Sequence, residues 1–114
     1  MIEPLARFKD NLQHMPSIDG VLRIDLVDAS GHALASIENQ PGKQGSLAVY
    51  QYLHLCFGVL NAAAAEHGLR VFGEHTADAR ARPGAHPNID RLLAVSAGDA
   101  PLEIRIVTKG DAGA

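Results

Sequence analysis

Two short segments near opposite ends of the chain constrain the fold more than anything between them. In VLRIDLV (21–27), Leu22, Ile24 and Leu26 alternate with Arg23 and Asp25. In LEIRIV (102–107), Leu102, Ile104 and Ile106 alternate with Glu103 and Arg105. A two-residue period places one row of side chains on one face of a strand, and an apolar row of that kind has to be covered. The first segment has a local partner. Asp28-Ala-Ser-Gly31 has the composition of a tight turn, and HALASIEN (32–39) returns as a second strand, making a hairpin. If the last strand lies antiparallel beside the first, Arg23 and Asp25 can pair across to Glu103 and Arg105. The plainer expectation is that these four charges form a solvated sheet face.

The remaining segments read as helices. Leu5, Phe8, Leu12 and Met15 recur at spacings of three and four, predicting an amphipathic helix over 2–15, with Pro4 in its first turn and Pro16 ending it. SLAVYQYLHLCF (46–57) is apolar nearly all round, as expected of a central buried helix. VLNAAAAEHG follows Gly58 as a helix that Gly68 would stop. LRVF is undecided between strand and helix. EHTADARAR (74–82) is a polar helix closed by Pro83-Gly84, and residues 88–95 make a short helix. The order helix, hairpin, helices, strand predicts an α+β two-layer sandwich: a small antiparallel sheet of the N-terminal hairpin plus the C-terminal strand, with helices packed on one face. Residues 1–109 form a single domain, and 110–114, with nothing to bury, form a disordered tail.

Composition narrows the function. The 114 residues carry 10 basic and 13 acidic side chains, a net charge of -3, with no tryptophan and only five tyrosines and phenylalanines. That balance argues against a phosphate-gripping or base-stacking nucleic-acid binder. The single cysteine excludes a disulfide framework within the chain, and Cys56 itself reads as a small buried hydrophobe. No apolar run is long enough to span a bilayer, and the first twenty residues lack the core of a secretory leader. The expectation is a soluble cytoplasmic protein that binds neither nucleic acid nor membrane.

Three groups of residues could carry chemistry. The first is Gln40-Pro-Gly-Lys-Gln-Gly-Ser46, leading into the central helix. Gly42 and Gly45 let backbone N–H groups converge, Ser46 is placed to cap the helix, and Lys43 adds a full charge, so the loop suits a carboxylate or phosphate. It is not a P-loop, because Lys43 precedes the second glycine. The second runs from Glu74 to His86. His75 and Asp78 share a helix face, and with His86 they could form a two-histidine, one-carboxylate metal site. The alternative is that Asp78 pairs with Arg82 four residues on. The third is Tyr50, Tyr52 and His54 on the central helix, where Tyr50 and His54, four apart, could line a pocket together and serve proton transfer.

IENQPGKQGSLAVYQYL (37–53) followed by FGEHTADARARPGAHPNIDRLLAV (72–95) resembles a small bacterial family of proteins of about this length with no assigned activity. The resemblance runs from the hairpin to the final strand and implies no catalytic residue, substrate or cofactor. From the residues alone, the leading expectation is a binding protein, or an enzyme, for a small anionic molecule. Gly42, Lys43, Gly45, Ser46, Tyr50 and Arg80 would bind the ligand, and His75 with Glu74 would serve as acid and base. The alternatives are a homodimeric interaction module without catalysis, and a metal-dependent enzyme using His75, Asp78 and His86. The sequence leaves any cofactor unknown.

Overall fold

The two alternating segments lie side by side. The computed structural model describes residues 1–112. Its elements in chain order are α1 (Phe8–Leu12), β1 (Val21–Val27), β2 (Ala33–Glu38), α2 (Gln44–Phe57), β3 (Val59–Leu60), α3 (Ala62–Val71), α4 (Glu74–Ala81), α5 (Pro87–Ser96), β4 (Leu102–Thr108) and α6 (Lys109–Ala112). The strands form one antiparallel sheet in the order β2-β1-β4-β3. The first and last long strands are therefore central neighbours, and the helices between them cover one face. This is the expected α+β architecture.

Ile24, Leu26, Ile37, Leu102 and Ile104 are buried on the covered face, against Leu47, Tyr50 and Leu53 of α2. The other face carries the charges, but their pairing differs from expectation. Asp25 stands opposite Arg105 in register, yet Arg23 bonds Asp25 along its own strand at 3.1 Å, and Arg105 bonds Glu103 along its own at 2.9 Å. The Ser36 hydroxyl donates to Asp25 from β2 at 2.6 Å. Leu22 is also not a core residue. A register shift between Val21 and Arg23 breaks the alternation, so Val21 joins Ile24 in the core and Leu22 stays half-buried.

The hairpin turn is built as its composition suggests. Asp28 accepts hydrogen bonds from the N–H groups of Ser30 and His32, both at 2.9 Å, and Gly31 takes the positive φ the turn needs. At the other end of the sheet Gly58, also at positive φ, ends α2 and directs Val59–Leu60 onto the β4 edge as β3. Asn61 then caps α3 by accepting the Ala64 N–H at 2.9 Å.

Gly68 does not stop a helix. α3 continues through it to Val71, because Gly68 is where α3 comes closest to its neighbours: a Cβ there would lie 2.9 Å from methyls of both Leu53 and Leu92. LRVF is accordingly mostly helix. The predicted helix over 2–15 shrinks to Phe8–Leu12. The preceding residues are held by fully buried Asn11, whose side chain accepts the Leu5 N–H at 2.7 Å and donates to the carbonyls of Leu5 (3.0 Å) and Val71 (2.8 Å). Ile2 is tied separately, its N–H donating to the Tyr52 hydroxyl at 3.0 Å. Cys56 is exposed, on the part of α2 that projects beyond the core. Of the expected tail, residues 110–112 belong to the helical turn Lys109–Ala112, while residues 113 and 114 lie outside the described residues. Among the described residues, no helix is long and apolar enough to cross a membrane.

Candidate functional site

The loop before α2 is fixed to the hairpin at both ends. Asn39 donates to the Val21 carbonyl at 2.8 Å and accepts from the Gln44 side chain at 2.9 Å. Between them Gly42 turns the chain at positive φ, and the Lys43 N–H closes on the Gln40 carbonyl at 3.0 Å. The helix starts three residues earlier than Ser46 would require as a cap. Lys43 occupies the cap position without a side-chain bond, and Ser46 is the third helical residue. The first amide bonded back along the helix is that of Leu47, to Lys43 at 3.0 Å. Among the described residues, the N–H groups of Gln44, Gly45 and Ser46 have no protein acceptor. Three successive donors, the positive end of a 14-residue helix and an ammonium that has no ion-pair partner among the described residues therefore share one small volume.

The facing wall comes from the turn between α3 and α4 and the loop before α5. Gly73 adopts φ 58°, ψ -125°, and lies so close to the N-terminal segment that a Cβ would sit 2.7 Å from the Ala6 carbonyl oxygen. Phe8, delivered by that contact, stacks on Phe72 at 5.1 Å and meets the His75 ring in a T-shaped arrangement at 5.2 Å. His86 follows, its ring 5.9 Å from that of His75. His86 Nε2 is 2.6 Å from Asp78, whose two oxygens also take Arg82. The hydrogen bonds from Arg82 first, then from His86, hold the Asp78 carboxyl well below the usual carboxylate range. An ionised carboxylate only accepts, so the His86 proton sits on Nε2, and Nδ1 is the acceptor in the neutral ring.

These walls enclose a half-open cleft of about 650 Å³. Gly42, Lys43, Gly45 and Ser46 line one side, and Phe72, His75 and His86 the other, with Phe8 and Leu12 between them and Ser36 and Ile37 reaching in from β2. The His75 backbone N–H donates to the Phe72 carbonyl at 3.2 Å, but among the described residues its ring makes only aromatic contacts and no hydrogen bond, so the ring nitrogens can meet a bound molecule.

Four of the expected site residues take other places. Tyr50 is fully buried beneath the cleft and donates its hydroxyl to the Asn88 carbonyl at 2.6 Å; burial pushes its phenol above the usual range. It supports the lining residue Asn88 rather than facing the cleft. Glu74 accepts the Phe8 N–H at 2.7 Å and is outside the lining. Arg80 belongs to a different cleft. Asp78 is committed to Arg82 and His86, and among the described residues no three histidine, cysteine or carboxylate side chains converge as metal ligands. Phe8, Phe72 and Asn88 were missed as lining residues. Phe8 carried only a helix-face signal, and its position opposite Phe72 depends on a contact between distant segments.

No curated protein and no solved structure matches the chain. Residues 8–106, spanning the whole cleft and nearly all of the sheet, match the family DUF2322, described as an uncharacterized protein conserved in bacteria, and the chain belongs to that family.

Proposed function

We propose that the protein binds a small anionic molecule in the cleft between the start of α2 and the His75–His86 wall. One observation carries this reading: the three acceptor-free amides of Gln44, Gly45 and Ser46, with Lys43 beside them, open onto the same hollow as the unbonded imidazole of His75. The amides and Lys43 would hold a carboxylate or phosphate. The Phe8–Phe72 stack and Ile37 supply an apolar surface for the rest of the molecule. If a reaction accompanies binding, His75 is the group for proton transfer, since imidazole is the side chain whose ordinary titration lies nearest neutral pH.

Thermal-shift measurement against a panel of phosphorylated and carboxylated metabolites tests the proposal. A ligand at about 100 times its Kd adds roughly 2.7 kcal/mol to the folded state, a shift of several degrees that Lys43→Ala should diminish. No response to any anion, or an undiminished response in Lys43→Ala, would refute it.

A second reading, homodimerisation along β2, is favoured by one feature. β2 is an edge strand whose Leu34 is 48% exposed, and such an edge can pair with a second copy. A monomeric mass at all micromolar concentrations would refute that reading.

A further inference from the structure

A second hollow, of about 590 Å³, opens where α3 and α4 meet the end of α2. Its walls include Arg70 of α3 and Arg80 of α4, seven helical residues and one sharp turn apart in the chain but facing one space. Among the described residues no carboxylate lies within ion-pair distance of either guanidinium. Glu66 shares the lining, so the side chains around the hollow carry one negative charge against two positive. Two cations around one concavity repel each other until an anion enters, and a guanidinium presents paired donors that match a carboxylate or phosphate.

The floor is unusual for a surface depression. His67 is 4% exposed, and its Nε2 lies 2.6 Å from the Tyr52 hydroxyl. Arg70 approaches His67 Nδ1 at 3.4 Å. An arginine only donates, so Nδ1 accepts and the ring proton sits on Nε2, bonded to the Tyr52 oxygen, which also takes the Ile2 N–H. Burial first, then the Arg70 charge, keeps the imidazole below its ordinary range. The groups acting on it are Arg70, the terminal amine and Glu3, with Glu66 in the same lining. Arg70 is thus steered toward the hollow by a buried neutral ring beneath it, while Thr76 is occupied with the Leu69 carbonyl at 2.5 Å.

We propose that this hollow is a second binding site, independent of the first, in which Arg70 and Arg80 together hold a small soluble carboxylate or phosphate above the His67–Tyr52 pair. An anion on Arg70 offsets the positive charge beside Nδ1, so occupancy raises the His67 pKa.

NMR titration with inorganic phosphate and, separately, succinate at constant ionic strength tests this. The expected result is saturable shifts at the Arg70 and Arg80 side-chain N–H groups and at the His67 ring with one or both anions. Apparent affinity should fall roughly tenfold or more in Arg70→Gln and in Arg80→Gln, and remain unchanged in Lys43→Ala. Both arginines are exposed helix residues, and the amide spectrum checks that each variant is folded. Shifts that stay linear in both anions, or saturation that survives both arginine substitutions, would overturn the proposal. Because Lys43 belongs only to the first cleft, failure here leaves the first site's test unaffected.

Discussion

Replacing Gly73 by alanine should cost more than replacing any other positive-φ glycine in the protein. Two effects combine. At φ 58°, ψ -125° a side chain occupies backbone space that L-residues avoid, which costs about 1–2 kcal/mol. The added Cβ would also stand 2.7 Å from the Ala6 carbonyl oxygen and 2.9 Å from the Phe8 nitrogen. Those are backbone atoms, so relief requires the N-terminal segment to move, adding roughly 1–3 kcal/mol as in other overpacked contacts. The total, about 3 kcal/mol, corresponds to a melting temperature lower by on the order of 10–15 °C for a domain of this size. Gly31 provides the control, since it has φ 90° with nothing within 4 Å of its Cβ position. Gly31→Ala should show only the backbone strain, roughly 5 °C. Thermal unfolding followed by circular dichroism measures both. Equal shifts in the two variants would refute the claim that the N-terminal segment packs on the α3–α4 turn. Because that packing delivers Phe8 to the cleft, Gly73→Ala should also weaken any anion response.

Asn11→Ala removes three hydrogen bonds from a fully buried position and leaves the Val71 carbonyl without its side-chain donor. It should lower stability by about 2–3 kcal/mol in a denaturant titration, and a change below about 0.5 kcal/mol would contradict the assigned network. Asp78 supplies a pH prediction. Its folded pKa is depressed by Arg82 and His86, so its contribution is complete above the ordinary carboxylate range and is lost as pH falls through the depressed value. Asp78→Asn should therefore flatten the acid limb of the stability profile below about pH 4; an unchanged acid limb would count against the pairing.

The strands and the overall layering were legible because their signals are local. The alternation in VLRIDLV and LEIRIV needs only one covered face, and the structure supplies it with α2. The departures arise where a residue's role is decided by a distant segment. Gly68 looks like a helix stop, but Leu53 and Leu92 make it a point of close helix contact. Leu5, Phe8, Leu12 and Met15 have helical spacing, yet Asn11 binds the backbone of Leu5 and holds the preceding residues outside the helix. β3 is two residues long and has no period to detect; it exists because Gly58 turns the chain against β4.

The cleft divides in the same way. Gly42, Lys43, Gly45, Ser46 and His75, singled out by their types and neighbours, do line one cleft. Ser46 lies three positions inside the helix rather than at its cap, because the helix already starts at Gln44, whose side chain bonds Asn39 next to the hairpin. Arg80 and Glu74 were grouped with His75 by proximity in sequence, but on α4 they face other surroundings. Arg80 looks into the second hollow, and Glu74 meets the Phe8 amide.

The most direct measurement follows backbone amide resonances of the uniformly labelled protein while phosphate and carboxylate ligands are added. An anion bound in the first cleft should move the Gln44, Gly45 and Ser46 amides together along one saturation curve, with the His75 ring responding at the same concentrations. The absence of saturable movement of those three amides with all of the anions would contradict the proposed site.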